Sequence, residues 1–248
     1  MSAGVVALTW YCAVVLNQTP GWELLVTGAG TLLVYNLDHL RDDRRQIRAG
    51  RGPRLAPALR WILLGAAALG LLAGFALAGL PVLVAALPSG IVGLLYGAPI
   101  GGRRLKDLPG SKAWLVATAV TWAVIALPLA GEELGRAGPE LWLFVLALTT
   151  LNAHAFDLRD VGVDRDNAAW TWAAWLGPER ARRRLVAAAG IATLAAAGWA
   201  VQAGDWERPV TLGAITAGLL GSQRWSREAY GVWFDGLQML PAAWLLLS

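Results

Sequence analysis

Leu141-Trp142-Leu143-Phe144-Val145-Leu146-Ala147-Leu148-Thr149-Thr150-Leu151-Asn152-Ala153-His154-Ala155-Phe156 contains no Asp, Glu, Lys or Arg. It runs straight into Asp157-Leu158-Arg159-Asp160-Val161-Gly162-Val163-Asp164-Arg165-Asp166. The first stretch reads as an apolar helix and the second as its acidic end. On a helix, Asp157, Asp160 and Asp164 stand at i, i+3 and i+7 and share one face. Carboxylates so placed repel one another unless a cation holds them. A hard dication suits them, and Mg²⁺ commonly binds through a few carboxylates plus substrate phosphates. A single Asp at a helix end is more simply a solvated interface residue. Three in register, with Asp38 and Asp42 repeating the pattern after another apolar stretch, read as a metal site.

Composition places that helix in a membrane. The chain is 56% hydrophobic and 15% charged, with 14 Trp and a mean hydropathy of +0.50. Soluble domains are far less apolar. Apolar stretches recur at 3–17, 21–38, 57–79, 81–98, 112–131, 139–157, 183–203, 209–222 and 231–247. A spanning helix needs about 20 residues, so the expectation is a nine-helix, all-α, polytopic membrane protein. No soluble domain is visible, and residues 1–248 read as one unit.

The basic residues set its orientation. With the amino terminus inside, the loops near 41–56, 99–112, 158–182 and 223–230 face the cytoplasm. These loops and their flanks hold 19 of the 21 Lys and Arg residues, leaving only Arg136 and Arg208 outside. That bias predicts an N-in, C-out topology, with both acidic stretches on the cytoplasmic face of a bacterial inner membrane. A pI of 9.7 then reflects loops facing anionic lipid, and no nucleic acid is called for. The start lacks a basic region before its apolar stretch, so 3–17 reads as a retained helix. Cys12 is the lone cysteine, which excludes an internal disulfide.

Three cytoplasmic segments carry the chemistry. Tyr35, Asp38, Asp42 and Arg45 form one helical stripe. Tyr96-Gly97-Ala98-Pro99-Ile100-Gly101-Gly102-Arg103-Arg104-Leu105-Lys106 is a turn-rich loop with three cations beside a Tyr. The third is the acidic run from Asp157 to Asp166. Acids can hold Mg²⁺, and Lys and Arg can bind the phosphate oxygens it bridges. The matching ligand is a diphosphate on an apolar tail. Asp235, in the last apolar stretch, is a further ionisable group at membrane depth.

The run Asp157 to Arg165, followed by Thr171 and Leu176-Gly177, resembles the D-x-x-D-x-x-x-D-R element, Thr and L-G of the UbiA-type intramembrane prenyltransferase superfamily. Ala168 stands where a Gly is common. Tyr96, Pro99 and Arg104-Leu105-Lys106 are similar to that family's Tyr, Pro and R-L-K element. The first motif departs from the usual N-D-x-x-D-x-x-x-D. Anchored on Asn36, it puts Leu37, Leu40 and Arg44 at acid positions. Anchored on Asp38 and Asp42, it keeps two carboxylates one turn apart and puts Val34 at the Asn position. The second registration is preferred.

The resemblance implies a nine-helix bundle that transfers an isoprenyl group from a prenyl diphosphate to an aromatic or lipid acceptor with Mg²⁺. It implies Asp38, Asp42, Asp157, Asp160 and Asp164 as metal ligands, with Asp38, Asp42, Asp160 and Asp164 as the catalytic set. Tyr96, Arg104, Lys106, Asn36 and Arg45 would contact the diphosphate. Two alternatives stay open on the same scaffold: an isoprenoid-binding or complex-supporting relative, and a terpene cyclase. The expected partners are prenyl diphosphate, an apolar or aromatic acceptor and membrane lipids.

Overall fold

A computed structural model describes residues 2–48, 56–101, 103–166, 170–222 and 225–247. Among the described residues, twelve α-helices follow one another: α1 (Ser2–Val15), α2 (Glu23–Arg48), α3 (Pro57–Ala78), α4 (Leu80–Tyr96), α5 (Ser111–Ala126), α6 (Pro139–Arg159), α7 (Val161–Asp166), α8 (Trp172–Leu176), α9 (Pro178–Ala203), α10 (Glu207–Gly221), α11 (Arg227–Leu237) and α12 (Leu240–Leu247). Each of the nine apolar stretches becomes helix. Proline trims two of them, because it lacks an N–H and disfavours helix at the residue before it. Thus α5 stops at Ala126, two residues short of Pro128, and the ninth stretch is broken between Leu237 and Leu240, next to Pro241. The loop after Tyr96 holds a small antiparallel pair, β1 (Pro99–Ile100) with β2 (Arg103–Arg104).

The surface is that of an integral membrane protein. Leu69 and Leu72 on α3 are 69% and 67% exposed, and Ile191 and Leu194 on α9 are 69% and 74% exposed. Water would not tolerate so broad an apolar surface. Three helices, Ala58–Ala78, Pro139–Arg159 and Pro178–Ala203, are long and apolar enough to cross a membrane by length and composition alone.

Contacts divide the chain into two compact units. The first comprises Met1–Leu105 and Trp122–Leu134. Here α2 packs on α1, α3 and α4, around a core of Val26, Val82 and Leu127 edged by Leu71 and Phe75. The Trp122 indole donates to the Ala85 carbonyl at 2.9 Å, so its polar edge is satisfied where no water competes.

The second unit comprises Lys106–Thr121 and Gly135–Ser248. Its centre is α6, which packs on α8, α9, α10 and α11. In α6, 56% of its most apolar stretch is buried, against 17% in α3 and α9. A helix apolar on all sides is suited to that place. Hydroxyl pairs join neighbours: Thr121 with Thr149 at 3.0 Å, and Thr193 with Thr216 at 3.4 Å. Such pairs are a common form of polar adhesion between membrane helices. Gly177 turns the chain from α8 into α9 at φ +82°, a conformation glycine adopts without strain. Pro178 then occupies the first turn, where its missing N–H costs nothing.

Candidate functional site

The second acidic stretch lies wholly in the second unit. The helix does not continue through it. Asp160 caps α6, its N–H donating to the Phe156 carbonyl at 3.0 Å, and the chain restarts as α7. The single acidic face expected from spacing therefore becomes two groupings. Asp157 and Asp164 converge on Lys112 at the start of α5. The Lys112 ammonium lies 3.0 Å from Asp157 Oδ1, and 2.8 and 3.0 Å from the two Asp164 oxygens. Asp160 is instead forked by Arg159, at 3.0 and 2.8 Å, and the Arg159 guanidinium lies over the Phe156 ring at 4.5 Å.

Local structure explains why these groups meet. The Gly110 N–H donates to the Trp170 carbonyl at 2.8 Å, tying the approach to α5 to the approach to α8. The Thr171 hydroxyl caps α8 by accepting from the Ala174 N–H at 3.2 Å. Trp172 then stacks on His154, with ring centroids 5.0 Å apart. His154 Nδ1 is 3.7 Å from Asp157 Oδ2, and its buried Nε2 has no partner among the described residues. Burial raises the Asp164 carboxyl above its ordinary range, while the Lys112 charge acts in the opposite direction.

Beside this cluster lies a cavity of about 400 Å³ that sequence reading missed, lined by Leu158, Arg159, Pro178, Glu179, Arg182, Ser222, Trp225, Ser226 and Tyr230. The Tyr230 hydroxyl donates to the Ala155 carbonyl at 2.7 Å, fixing α11 against α6.

The first acidic stretch belongs to the first unit. Asp42 is paired with Arg104 of the hairpin, Nη1 to Oδ1, at 2.5 Å. Arg41 donates to the Leu94 carbonyl at 3.2 Å. The backbone approaches closely at Gly97: a Cβ there would lie 2.6 Å from Asp38 Oδ1 and 3.1 Å from Arg41 Nη1, so those side-chain ends would have to shift. Asn36 is buried and donates to the Leu32 carbonyl at 2.8 Å. Tyr35 is 48% exposed and meets His39 edge to face. Tyr96 ends α4 half-buried, and Lys106 is buried in a turn of 3-10 helix. The Arg45 side chain lies outside the described residues.

The structure thus brings Asp157 and Asp164 together, joins Asp42 to Arg104, and adds Lys112, which the charge count had assigned only to a cytoplasmic flank. No set of three or more His, Cys, Asp or Glu side chains converges among the described residues.

The sequence matches no family model, and no curated protein matches it. Solved structures do. The apo structure of a UbiA homolog from Aeropyrum pernix K1 is similar at a TM-score of 0.72 and 14% identity, over 99% of this chain and 97% of that one. A UbiA homolog from Archaeoglobus fulgidus bound to GPP and Mg²⁺ is similar at 0.62 and 19% identity, over 100% and 97%. The same homolog bound to Cd²⁺ gives 0.61 at 19% identity, over 98% and 95%. The chain has the fold of these UbiA homologs.

Proposed function

We propose that the protein is a UbiA-type intramembrane prenyltransferase, moving an isoprenyl group from a prenyl diphosphate to an apolar or aromatic acceptor within the bilayer. The observation that carries this is the convergence of Asp157 and Asp164 on one cation, in a fold shared with homologs solved with Mg²⁺ and GPP or DMAPP. The donor chemistry suits Mg²⁺, since Asp157, Asp160 and Asp164 offer only hard oxygens. They would hold the ion, and the family resemblance gives Asp38 and Asp42 of the first stretch the same role. Bound Mg²⁺ supplies charge neutralisation for the departing diphosphate. Arg104 and Lys106 bind and orient the diphosphate oxygens through charged hydrogen bonds, assisted by Tyr96, Asn36 and Arg45. As the allylic C–O bond breaks, the apolar helices exclude water from the carbocation and aromatic faces attract it.

In this reading the two units work as one domain over residues 1–248. The amino terminus is inside, the carboxy terminus outside, and the chemistry faces the cytoplasm of a bacterial inner membrane. One observation favours a second reading, an isoprenoid-binding relative without turnover. Asp42, an acid of the atypical first motif, is already neutralised by Arg104.

The test is turnover of labelled prenyl diphosphates by the purified protein in lipid nanodiscs, with Mg²⁺ and a membrane-lipid extract as acceptor source. A new prenylated lipid is expected. Diphosphate release without acceptor would indicate a cyclase. Tight binding with no turnover would establish the second reading, and an absence of Mg²⁺-dependent binding would overturn the first.

A further inference from the structure

Of the 21 basic residues, only Lys106 and Lys112 are lysines. Lys112 lies against two deeply placed acids of the second stretch. The Asp157 and Asp164 side chains are 4% and 7% exposed. Its ammonium engages one Asp157 oxygen and both Asp164 oxygens. These are oxygens that a dication bound by both carboxylates would need. An ammonium suits such a place because it is a compact point charge with three donors. Two buried carboxylates with no cation between them would repel. Lys112 removes that conflict, and a metal bound by both acids would compete with it for the same oxygens.

We propose that Lys112 is an intramolecular cation that holds Asp157 and Asp164 together until a divalent ion displaces it. The proposal rests on the Mg²⁺-dependent reading above and adds the event that opens its metal site. Apparent metal affinity is then lowered by the fraction of molecules in which Lys112 holds the acids. Once displaced, the ammonium becomes available to phosphate oxygens, so metal and diphosphate should load cooperatively.

Lys106 is the only other lysine, so amine labelling read by peptide mass spectrometry reports on Lys112 directly in the unmutated protein, with MnCl₂ alone as the probe. Lys112 should be protected without metal and become labelled severalfold faster as Mn²⁺ saturates, with Lys106 as internal reference. Lys112→Met should bind Mn²⁺ about tenfold more tightly by electron paramagnetic resonance. If Mn²⁺ binds while Lys112 labelling stays constant, the proposal is overturned and the metal reading stands. Equal or weaker Mn²⁺ binding by folded Lys112→Met has the same consequence. If neither protein binds Mn²⁺, the metal reading falls and this proposal falls with it. Should Lys112→Met fail to fold, labelling of the unmutated protein decides the matter.

Discussion

Both acidic helix ends are neutralised from within the chain, but by different means. At the end of α2, Asp42 meets an arginine from a hairpin and keeps 18% of its side chain exposed. At the end of α6 and in α7, Asp157 and Asp164 share one lysine and are nearly sealed. A guanidinium is a planar, always-charged fork that holds its partner in fixed geometry. An ammonium is a point charge that another point charge can replace. Depth widens the contrast, because an unpaired charge is costly where water cannot reach it. The same residue type, placed after an apolar helix, thus tethers a loop in one unit and surrounds a cation in the other.

Removing the two counter-ions tests this contrast most strongly. Lys112→Met should cost about 3 kcal/mol of stability, since it strands two buried carboxylates. Arg104→Met should cost about 1.5 kcal/mol, since Asp42 can be solvated. Unfolding in detergent measures both, and equal losses would break the contrast. Added Mg²⁺ should restore part of the loss in Lys112→Met only.

Turnover gives the next largest effect. Asp164→Asn should lower Mg²⁺-dependent prenyl transfer about a hundredfold, the scale for losing a group that stabilises developing charge. Asp42→Asn should lower it about tenfold, mainly through weaker diphosphate binding as the freed Arg104 shifts. The reverse order would make the first stretch the principal metal site.

Smaller changes sharpen the picture. Gly97→Ala sets a methyl 2.6 Å from Asp38 Oδ1. It should displace that carboxylate and weaken prenyl diphosphate binding by about 1 kcal/mol, with the second stretch untouched. An unaltered affinity would remove Asp38 from the site. Thr171→Ala removes the cap of α8 and should cost about 1 kcal/mol of stability. Its sharper readout is local: hydrogen exchange should rise in α8, where Trp172 stacks on His154, and remain unchanged in α2.

The helices and the acidic stretches were legible in the sequence because their signals are local. Hydrophobicity sustained over about 20 residues specifies a spanning helix whatever its neighbours are. Leu141 to Phe156 has no charged residue to expose, which suits the central place of α6 in its unit. Pro128 and Pro241 also act locally, one just beyond the end of α5 and the other beside the break between α11 and α12.

What the sequence could not specify was which charges pair. Lys112 lies 52 residues from Asp164, and Arg104 lies 62 from Asp42. Over such separations, partnership is decided by how α5, α6, α7 and the hairpin pack, and no spacing rule encodes that. The regular interval from Asp157 to Asp164 promised one acidic face. The chain instead ends α6 at Arg159, so Asp160 turns to its neighbour while Asp157 and Asp164 meet a lysine from another helix. Sequence alone determined the solvent, the helices and the presence of acidic stretches and basic loops, because those follow from composition and local periodicity. Tertiary structure alone decided that Lys112 stands between Asp157 and Asp164, because only the packing of α5 against α6 and α7 brings charges so far apart in sequence within contact.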